Sequence, residues 1–286
     1  MRTLRTVSEL RAALAEPRRA GRTIGLVPTM GSFHQGHLSL MRTARAECDE
    51  VVVSLFVNPT QFDRAADLNV YPRDEAGDAL LAAEAGVDYL FAPAVAEVYP
   101  PGFATTVSVV GITETLEGAH RGRGHFDGVT TVVTKLFNMA QPDVAYFGQK
   151  DAQQALVIKR VVRDLDIPVR IEVCPTVREP DGLALSSRNL LLSPGERSRA
   201  LAISRALTSA ATAIAGGERD AETLAEDARA QMTSAGVEPE YFELVSTDTL
   251  EPVRVIDEDV LAVVAARVGT TRLIDNQVMV TNGRRT

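Results

Sequence analysis

The sequence has few cysteines, no excess of positive charge and no long apolar run. The scarcity or absence of each feature argues against one class of protein. Its 286 residues include two cysteines, Cys48 and Cys174, which lie far apart. They offer neither a disulfide framework nor a metal-ligand spacing, and we interpret both as buried thiols. A net charge of -8 argues against a nucleic-acid-binding surface. No stretch approaches the roughly 20 apolar residues that cross a bilayer, so we expect no membrane partner.

The N-terminal residues, Met1 to Arg5, lead into charged, helix-like sequence and not into an apolar stretch that ends at a small-residue cleavage site. We therefore expect a cytoplasmic protein. Hydrophobic residues make up 45% and charged residues 24%, which is typical of a globular chain with an ordinary core. We expect the ligand to be a small metabolite and not a nucleic acid, because the sequence lacks the excess of basic residues that a nucleic-acid-binding surface needs.

Short apolar runs rich in β-branched residues alternate with amphipathic stretches through the first 175 or so residues. This alternation predicts βαβ units and a parallel sheet. The predicted strands are 23–28, 51–57, 88–92, 143–147 and 170–174. The predicted helices are 38–47, 74–85, 151–165 and one whose apolar stripe covers 129–140.

The alternation of strands and helices ends near residue 176. Ser193-Pro194-Gly195-Glu196 has the form of a capping box with proline at the first helical position, which predicts a helix ending near Gly216. A second helix is predicted at 221–234, followed by strands at 241–245, 260–268 and 272–280. The sequence therefore predicts an α/β protein, with a Rossmann-like parallel-sheet domain at 1–176 and a smaller α+β domain at 177–286.

The segment Pro28-Thr29-Met30-Gly31-Ser32-Phe33-His34-Gln35-Gly36-His37 lies between a predicted buried strand and a predicted helix, where open α/β sheets bind ligands. His34 and His37 are three residues apart and can face the same side of the first helical turn. Gly31 and Gly36 let the backbone approach a bound group closely. The helix N-terminus adds free N–H groups and partial positive charge, so this segment suits a polyphosphate.

Two other interpretations of these histidines stay open. They could be structural histidines at the start of a helix, although the neighbouring glycines argue against that. A zinc site would need further ligands, and no cysteine or pair of carboxylates lies nearby in the sequence to complete it.

The His-x-Gly-His arrangement recurs in the nucleotidylyltransferase superfamily, and the longer string Pro-Thr-Met-Gly-x-x-His-x-Gly-His resembles the pantothenate synthetase family. Further segments resemble that family's motifs in order, at 56–62, 124–126, 135–138, 147–154, 182–189 and 272–276. The resemblance covers nearly the whole chain and is far more specific than any single motif. It implies a nucleotidylyltransferase fold in the first domain and a lid role for the second.

The resemblance implies two half-reactions. Pantoate and ATP give pantoyl-adenylate and pyrophosphate, and β-alanine then displaces AMP to form pantothenate, a coenzyme A precursor. In the first step a carboxylate attacks the α-phosphate in line, so the catalyst mainly holds two anions together and stabilises spreading charge. Mg²⁺ is expected with ATP, and because it keeps several waters we assign it no protein ligand. The resemblance also implies a homodimer.

The resemblance assigns His34, His37 and Lys150 to catalysis. The histidines can donate hydrogen bonds to the triphosphate, with His37 the proton donor to the phosphoryl centre or leaving group. Lys150 offers a compact positive charge near the α-phosphate, or is alternatively a solvated surface lysine. Gly148 gives room for the nucleoside. Asp151 can accept from the ribose hydroxyls, or it merely caps the next helix.

Ser186-Ser187-Arg188 lies where a lid would close over phosphates, with Arg188 on pyrophosphate oxygens and the serine hydroxyls donating. A polar turn before the next helix is the alternative. Val177 and Leu185 would pack beside the adenine or bind it through their backbone. The predicted ATP-binding set is Met30, Gly31, His34, Gly36, His37, Gly148, Gln149, Lys150, Asp151, Val177, Leu185, Ser186, Ser187 and Arg188.

Gln61 and Gln154 resemble the family's pantoate-binding pair, and an amide that donates and accepts suits a substrate with hydroxyls and a carboxylate. Gln61 is also placed to meet β-alanine. Asn58 and Arg123 are weaker candidates, the first because a residue before proline is often a turn residue.

The chain departs from the family at Gln149 and Gln35, where glutamate is common, and at Asp127, where arginine is common. We interpret Asp127 as a cap of the helix whose stripe covers 129–140 and leave it outside the site.

Three other functions remain open. An adenylyltransferase sharing the His-x-Gly-His element would leave AMP in its product, whereas a ligase releases AMP free. A relative of class I aminoacyl-tRNA synthetases would bind RNA, but the acidic balance and the lack of a basic helical extension count against it. An inactive ATP-binding sensor would not need both histidines, Lys150 and the Ser-Ser-Arg segment.

Overall fold

The computed structural model describes residues 1–62, 68–69 and 71–281. Its contacts divide the chain into two units. The first consists of Met1–Gln149 and Gln153–Pro175, and the second of Lys150–Ala152 and Thr176–Thr286. The sequence predicts a boundary at residue 176, whereas the structure also groups the short segment Lys150–Ala152 with the second unit.

The described residues of the first unit form a parallel sheet with helices between its strands. The strands are β1 (Arg2–Leu4), β2 (Ile24–Thr29), β3 (Glu50–Leu55), β4 (Tyr89–Phe91), β5 (Val144–Gly148) and β6 (Arg170–Cys174). The helices are α1 (Val7–Arg19), α2 (Gln35–Glu47), α3 (Glu75–Glu84), α4 (Val95–Val98), α5 (Glu117–Arg121), α6 (Arg123–Ala140) and α7 (Ala152–Asp164), with a 3₁₀ turn at Pro59–Gln61. A further 3₁₀ turn, Gln149–Asp151, begins in the first unit and continues into the segment Lys150–Ala152 that is grouped with the second. The predicted α/β class is confirmed.

The continuous apolar run of β3 is explained by burial on both faces of the sheet. Val52 packs in one hydrophobic cluster, while Val51 and Val53 pack in another on the opposite face. All three are fully buried, and each such side chain contributes about 1.5 to 3 kcal/mol to folding. Cys48 and Cys174 are buried thiols, as predicted.

The strand order β1-β4-β3-β2-β5-β6 determines where ligands can bind. From β2 the chain adds β3 and then β4 on one side, and it later adds β5 and β6 on the other. The order therefore reverses between β2 and β5, which pair in parallel through Gly25 and Val144. The crevice beyond the carboxyl ends at such a reversal is the general binding position of open α/β sheets.

The interpretation of Asp127 as a helix cap is wrong. Helix α6 begins at Arg123, after Gly122 at φ 79°, so Asp127 already lies inside the helix. Its Oδ1 instead accepts a hydrogen bond from Ser108 Oγ at 2.7 Å. The apolar stripe located the middle of α6 but not its first turns, where the sequence is polar and glycine-rich.

The second unit has a small antiparallel sheet in the order β7-β8-β9, formed by β7 (Glu238–Ser246), β8 (Val260–Val268) and β9 (Thr271–Met279). Its helices are α8 (Pro194–Ala215) and α9 (Ala221–Ser234), with a 3₁₀ turn at Ser187–Leu191. The predicted capping box is confirmed. Ser193 Oγ accepts from the Glu196 N–H at 3.3 Å, and Glu196 Oε2 accepts from the Ser193 N–H at 2.9 Å.

A hydrophobic cluster within the second unit joins its helices to its sheet through residues such as Leu207, Phe242 and Val264. Across the part of the chain that the structure describes, none of the helices combines the length and apolar character needed to cross a membrane.

Candidate active site

His34 and His37 cap the N-terminus of α2 reciprocally. His34 is the N-cap residue, and its Nδ1 accepts from the Gly36 N–H at 3.1 Å. The His34 N–H in turn donates to His37 Nδ1 at 3.4 Å, and the ring centroids are 4.2 Å apart. The predicted shared face is confirmed. The helix begins three residues earlier than predicted, and the Gly36 N–H donates to His34 Nδ1.

This cap favours the same tautomer in both imidazoles. Because each Nδ1 accepts from a backbone N–H, it carries no proton, and the neutral ring holds its hydrogen on Nε2. Both side chains can therefore act as hydrogen-bond donors through Nε2. Hydrogen-bond donors at a helix N-terminus suit the oxygens of an anion.

Met30 and Gly31 connect β2 to this cap in a left-handed turn. Gly31 has φ 91°, and a Cβ there would lie 2.7 Å from Leu55 Cδ1 and 2.9 Å from Asp78 Oδ2. The positive φ favours glycine at this position, and an added side chain would also crowd Leu55 and Asp78. Met30 is half-buried.

Asp78, in the first turn of α3, holds the loop before α2, a contact that the sequence does not predict. Its carboxylate accepts from the N–H groups of Ser32 at 2.8 Å and Phe33 at 2.7 Å. The contact with Ser32 spans 46 positions, so no local motif reveals it. One signal was available: Asp78 falls four residues before Ala82 on the buried side of an otherwise alanine- and leucine-rich helix.

The carboxyl end of β5 carries the Gly148, Gln149 and Lys150 that the sequence singled out. A Cβ at Gly148 would meet nothing within 4 Å, so the predicted room at this position is present. The Lys150 side chain is only 24% exposed, and its Nζ lies 3.9 Å from Asp151 Oδ1. That burial disfavours the solvated-lysine interpretation. The Lys150 carbonyl accepts from Asn276 Nδ2 at 2.9 Å.

Ser186, Ser187 and Arg188 form the start of a 3₁₀ turn that begins with a side-chain cap. Ser186 Oγ accepts from the Arg188 N–H at 3.2 Å, so the polar-turn alternative describes the local backbone correctly. Arg188 Nη1 lies 3.4 Å from the Arg272 carbonyl. Within the second unit, Lys150, Ser186 and Arg188 line one small cavity of about 20 Å³.

The loop before this 3₁₀ turn is held by an acidic residue. Glu179 accepts from Arg197 Nη2 at 2.8 Å and from Asn189 Nδ2 at 2.6 Å. Arg197 first, and Asn189 with it, hold the pKa of the Glu179 carboxyl below its usual range, against the opposing effect of burial. The Leu185 N–H donates to the Val177 carbonyl at 2.9 Å, which pairs the two predicted adenine-contacting residues.

Gln61 closes the 3₁₀ turn after β3 and is held by its neighbours. Its Oε1 accepts from Asn58 Nδ2 at 2.9 Å, and its carbonyl lies 3.1 Å from His125 Nδ1. Asn58 is 1% exposed and also donates to the Gly128 carbonyl. These contacts agree with the interpretation of Asn58 as a structural turn residue. Arg123 is exposed, with Nη2 3.4 Å from Ser108 Oγ.

Gln154 lies half-buried in the first turn of α7, next to a glutamine with a different role. Gln153 is 6% exposed, donates to the carbonyls of Ile112 and Thr115, and accepts from the Glu117 N–H. Those three bonds hold the segment before α5. The side chain of Gln154 makes no hydrogen bond to any residue that the structure describes, so its amide can serve a ligand.

The site offers donors for anions and no ready-made metal cage. In the described ranges, which omit 63–67, 70 and 282–286, no group of three His, Cys, Asp or Glu side chains could hold a metal ion. The histidine cap of the first unit offers ring nitrogens and backbone groups but no carboxylate pair, which suits a metal that arrives on phosphate oxygens better than one held by protein ligands alone.

Comparison with known proteins gives one consistent result. A model of the family described as Pantoate-beta-alanine ligase matches residues 2–278. Pantothenate synthetase of Cereibacter sphaeroides is 57% identical over 274 residues, covering 96% of this chain and 98% of its own. Pantothenate synthetase of Moorella thermoacetica is 53% identical over 283 residues, covering 99% and 100%.

Solved structures agree with the sequence comparison. Pantothenate synthetase from Thermus thermophilus matches with a TM-score of 0.88 at 47% identity, covering 98% of this chain and 100% of that one. Pantoate-beta-alanine ligase from Francisella tularensis, crystallised with β-γ ATP and β-alanine, matches with a TM-score of 0.79 at 34% identity, covering 99% of this chain and 100% of its own.

Proposed function

The chain belongs to the pantoate-beta-alanine ligase family, and we propose that it condenses pantoate with β-alanine to pantothenate, using ATP. The reaction proceeds through pantoyl-adenylate, with release first of pyrophosphate and then of AMP. An inactive sensor is disfavoured because the catalytic set His34, His37 and Lys150 is complete.

The reciprocal histidine cap carries this proposal. It places two neutral Nε2 donors at a helix N-terminus, immediately after β2 and at the reversal of strand order. Attack of the pantoate carboxylate on the α-phosphate needs donors that stabilise charge as it develops. Because each imidazole holds its hydrogen on Nε2, each can bind triphosphate oxygens, and His37 can also pass that proton to the phosphoryl centre or leaving group.

The remaining predicted residues supply charge and recognition. Lys150 provides the fixed positive charge for the α-phosphate, and Arg188 with the hydroxyls of Ser186 and Ser187 binds the pyrophosphate oxygens. Gly148, Gln149 and Asp151 receive the nucleoside, and Val177 and Leu185 contact the adenine. Gln154 binds pantoate together with Gln61, which also meets β-alanine. Mg²⁺ bound to ATP would neutralise part of the phosphate charge, and the enzyme works as a cytoplasmic homodimer.

The order of product release tests the proposal. The protein is incubated with ATP, Mg²⁺, pantoate and β-alanine, each omitted in turn, and the products are identified by mass. We expect pantoate alone to give a burst of pyrophosphate roughly equal to the enzyme concentration, because the adenylate forms before the amine enters. Adding β-alanine should then release AMP and pantothenate in equal amounts.

Two results would count against this assignment. Pyrophosphate release that depends fully on β-alanine would exclude the stepwise mechanism while leaving the ligase activity intact. A product that retains AMP, formed with a phosphate-bearing acceptor, would instead make the protein an adenylyltransferase.

A further inference from the structure

The buried carboxylate of Asp78 lies under the loop that connects β2 to α2. Asp78 is 4% exposed, and both of its oxygens are occupied: Oδ1 by the Phe33 N–H at 2.7 Å and Oδ2 by the Ser32 N–H at 2.8 Å. Hydrogen bonds from backbone N–H groups to an ionised carboxylate are about twice as strong as neutral ones. The contact joins the first turn of α3 to a loop on another element.

The loop backbone has a shape that needs such a contact. Gly31 has φ 91° and Ser32 has φ 56°, so two successive residues adopt left-handed conformations. Serine occupies that region only at an energetic cost, and such residues persist where the surroundings fix them. Successive N–H groups in a turn of this kind converge into an anion-binding concavity. Here the protein's own carboxylate fills that concavity.

The charge of Asp78 is balanced by dipoles. Among the residues that the structure describes, no lysine or arginine forms an ion pair with Asp78. The two loop N–H groups face its oxygens, and the residue lies in the first turn of α3, near the positive end of that helix. An asparagine would keep the shape but turn one amide NH₂ toward a backbone N–H, setting donor against donor.

We propose that Asp78 is a positioning residue for the two histidines, an inference that rests on the proposed function. By fixing Ser32 and Phe33 it fixes His34, which follows them directly and whose N–H donates to His37 Nδ1. The hydrogen of each ring then stays on Nε2. Loss of the carboxylate frees the loop, and the rings exchange tautomers and orientation without any change in the residues that touch ATP.

Histidine NMR tests the proposal without using activity. The chain has four histidines, so ¹⁵N-histidine spectra are simple to assign. We expect His34 and His37 of the unmodified protein to show Nε2–H tautomers, and Asp78→Asn to show tautomer mixtures at both. Asp74→Ala is the matched control, because Asp74 caps the same helix through the Gly77 N–H at 3.0 Å and does not bond to the loop.

Kinetics then separate positioning from a merely structural role. Asp78→Asn should lower pantoate-dependent pyrophosphate release about 10- to 100-fold, since small misplacement of reacting groups has effects of this size. Asp74→Ala should lower the melting temperature and leave this rate within about twofold. In a His37→Ala background the Asp78→Asn effect should shrink to less than about threefold, because Asp78 acts through the histidines.

Several outcomes would overturn the assignment. Unchanged tautomers in Asp78→Asn, or losses that simply multiply in the double variant, mean that Asp78 does not act through His34 and His37. If Asp78→Asn does not fold, hydrogen exchange on the unmodified protein decides: rapid exchange of the Ser32 and Phe33 amides rules the contact out. If the protein makes no pyrophosphate but shows the expected spectra, the proposed ligase function is wrong and the positioning role of Asp78 still holds.

Discussion

The histidine loop after β2 and the serine-arginine segment 186–188 are both predicted to bind phosphates, but the molecule holds them in different ways. The first is held by a buried carboxylate, a glycine at positive φ, and two imidazoles that cap the helix reciprocally. The second begins with one hydroxyl cap, and its Ser187 is exposed.

The end of the serine-arginine segment also has fewer fixing contacts than the histidine loop. The two residues that follow Asn189, Leu190 and Leu191, are 89% and 71% exposed, so they do not fix the segment in a core. Asn189 itself is buried and anchored by Glu179 and the Ala184 carbonyl. A fixed loop suits the placement of protons and charge at reacting atoms, whereas a segment that ends in two exposed leucines can adjust as ligands bind and leave.

The largest effects are expected from removing the predicted phosphate contacts, His37 in the first unit and Lys150 in the second. His37→Ala and Lys150→Ala should each lower the rate of adenylate formation about 10²- to 10³-fold, the usual loss when one donor to developing charge is removed. Rapid-quench measurement of pyrophosphate gives the rate. Lys159→Ala, an exposed lysine on α7, is the control and should leave it unchanged. Unchanged turnover in either test variant would mean that the polyphosphate binds elsewhere.

A smaller effect should separate acid recognition from phosphate binding. Gln154→Ala leaves a polar group of pantoate unpaired, which should cost roughly 1 to 3 kcal/mol and lower kcat/KM for pantoate about tenfold or more. ATP affinity, measured by calorimetry, should hardly change. A pantoate analogue lacking the contacted hydroxyl should discriminate less between the two proteins. Equal weakening of ATP binding and pantoate use would place the pantoate pocket elsewhere.

The smallest expected effect concerns the anchor of the serine-arginine segment at low pH. The folded-state pKa of Glu179 is depressed by Arg197 and Asn189, so its contribution to stability is present above the unfolded pKa and disappears as pH falls through the folded pKa. Asp181 shares Arg197 and adds to the same trend. Below about pH 4.5 we expect a loss of under about 1 kcal/mol.

Urea unfolding between about pH 3 and 6 measures this contribution. Glu179→Gln should flatten the pH dependence of the unfolding free energy across that range, relative to the unmodified protein. Identical slopes for the two proteins would show that the Glu179 anchor does not contribute to stability.

Most elements were predictable because their signals are local. The buried run of β3 and the capping box at Ser193 can be recognised within a few residues, and both are confirmed. Strand β1 has three residues, two of them exposed, and lacks such a signal; it forms because it pairs with β4, which lies far along the chain. Helix α2 begins earlier than predicted because two histidines, poor capping residues by statistics, cap it.

Site residues that belong to local motifs could be predicted from the sequence. Site residues whose role depends on tertiary contacts could not. Gln153 and Gln154 are identical in type and adjacent in sequence, yet one is consumed by three structural bonds and the other is not. Sequence alone cannot rank them, and the family resemblance supplied the choice. Asp78 was missed for the same reason, since its partners lie on a distant loop.

The reciprocal cap on α2 makes the chemistry of the site inseparable from the architecture of its helix. The nitrogen atoms that hold the helix start are in the same rings as those expected to face the triphosphate. Replacing either histidine would also remove one of the two capping hydrogen bonds of α2, which typically costs about 1 kcal/mol, so the helix start is weakened together with the site. An alanine at either position therefore reports two losses at once, and their separation needs a replacement that still caps the helix, such as asparagine at His34.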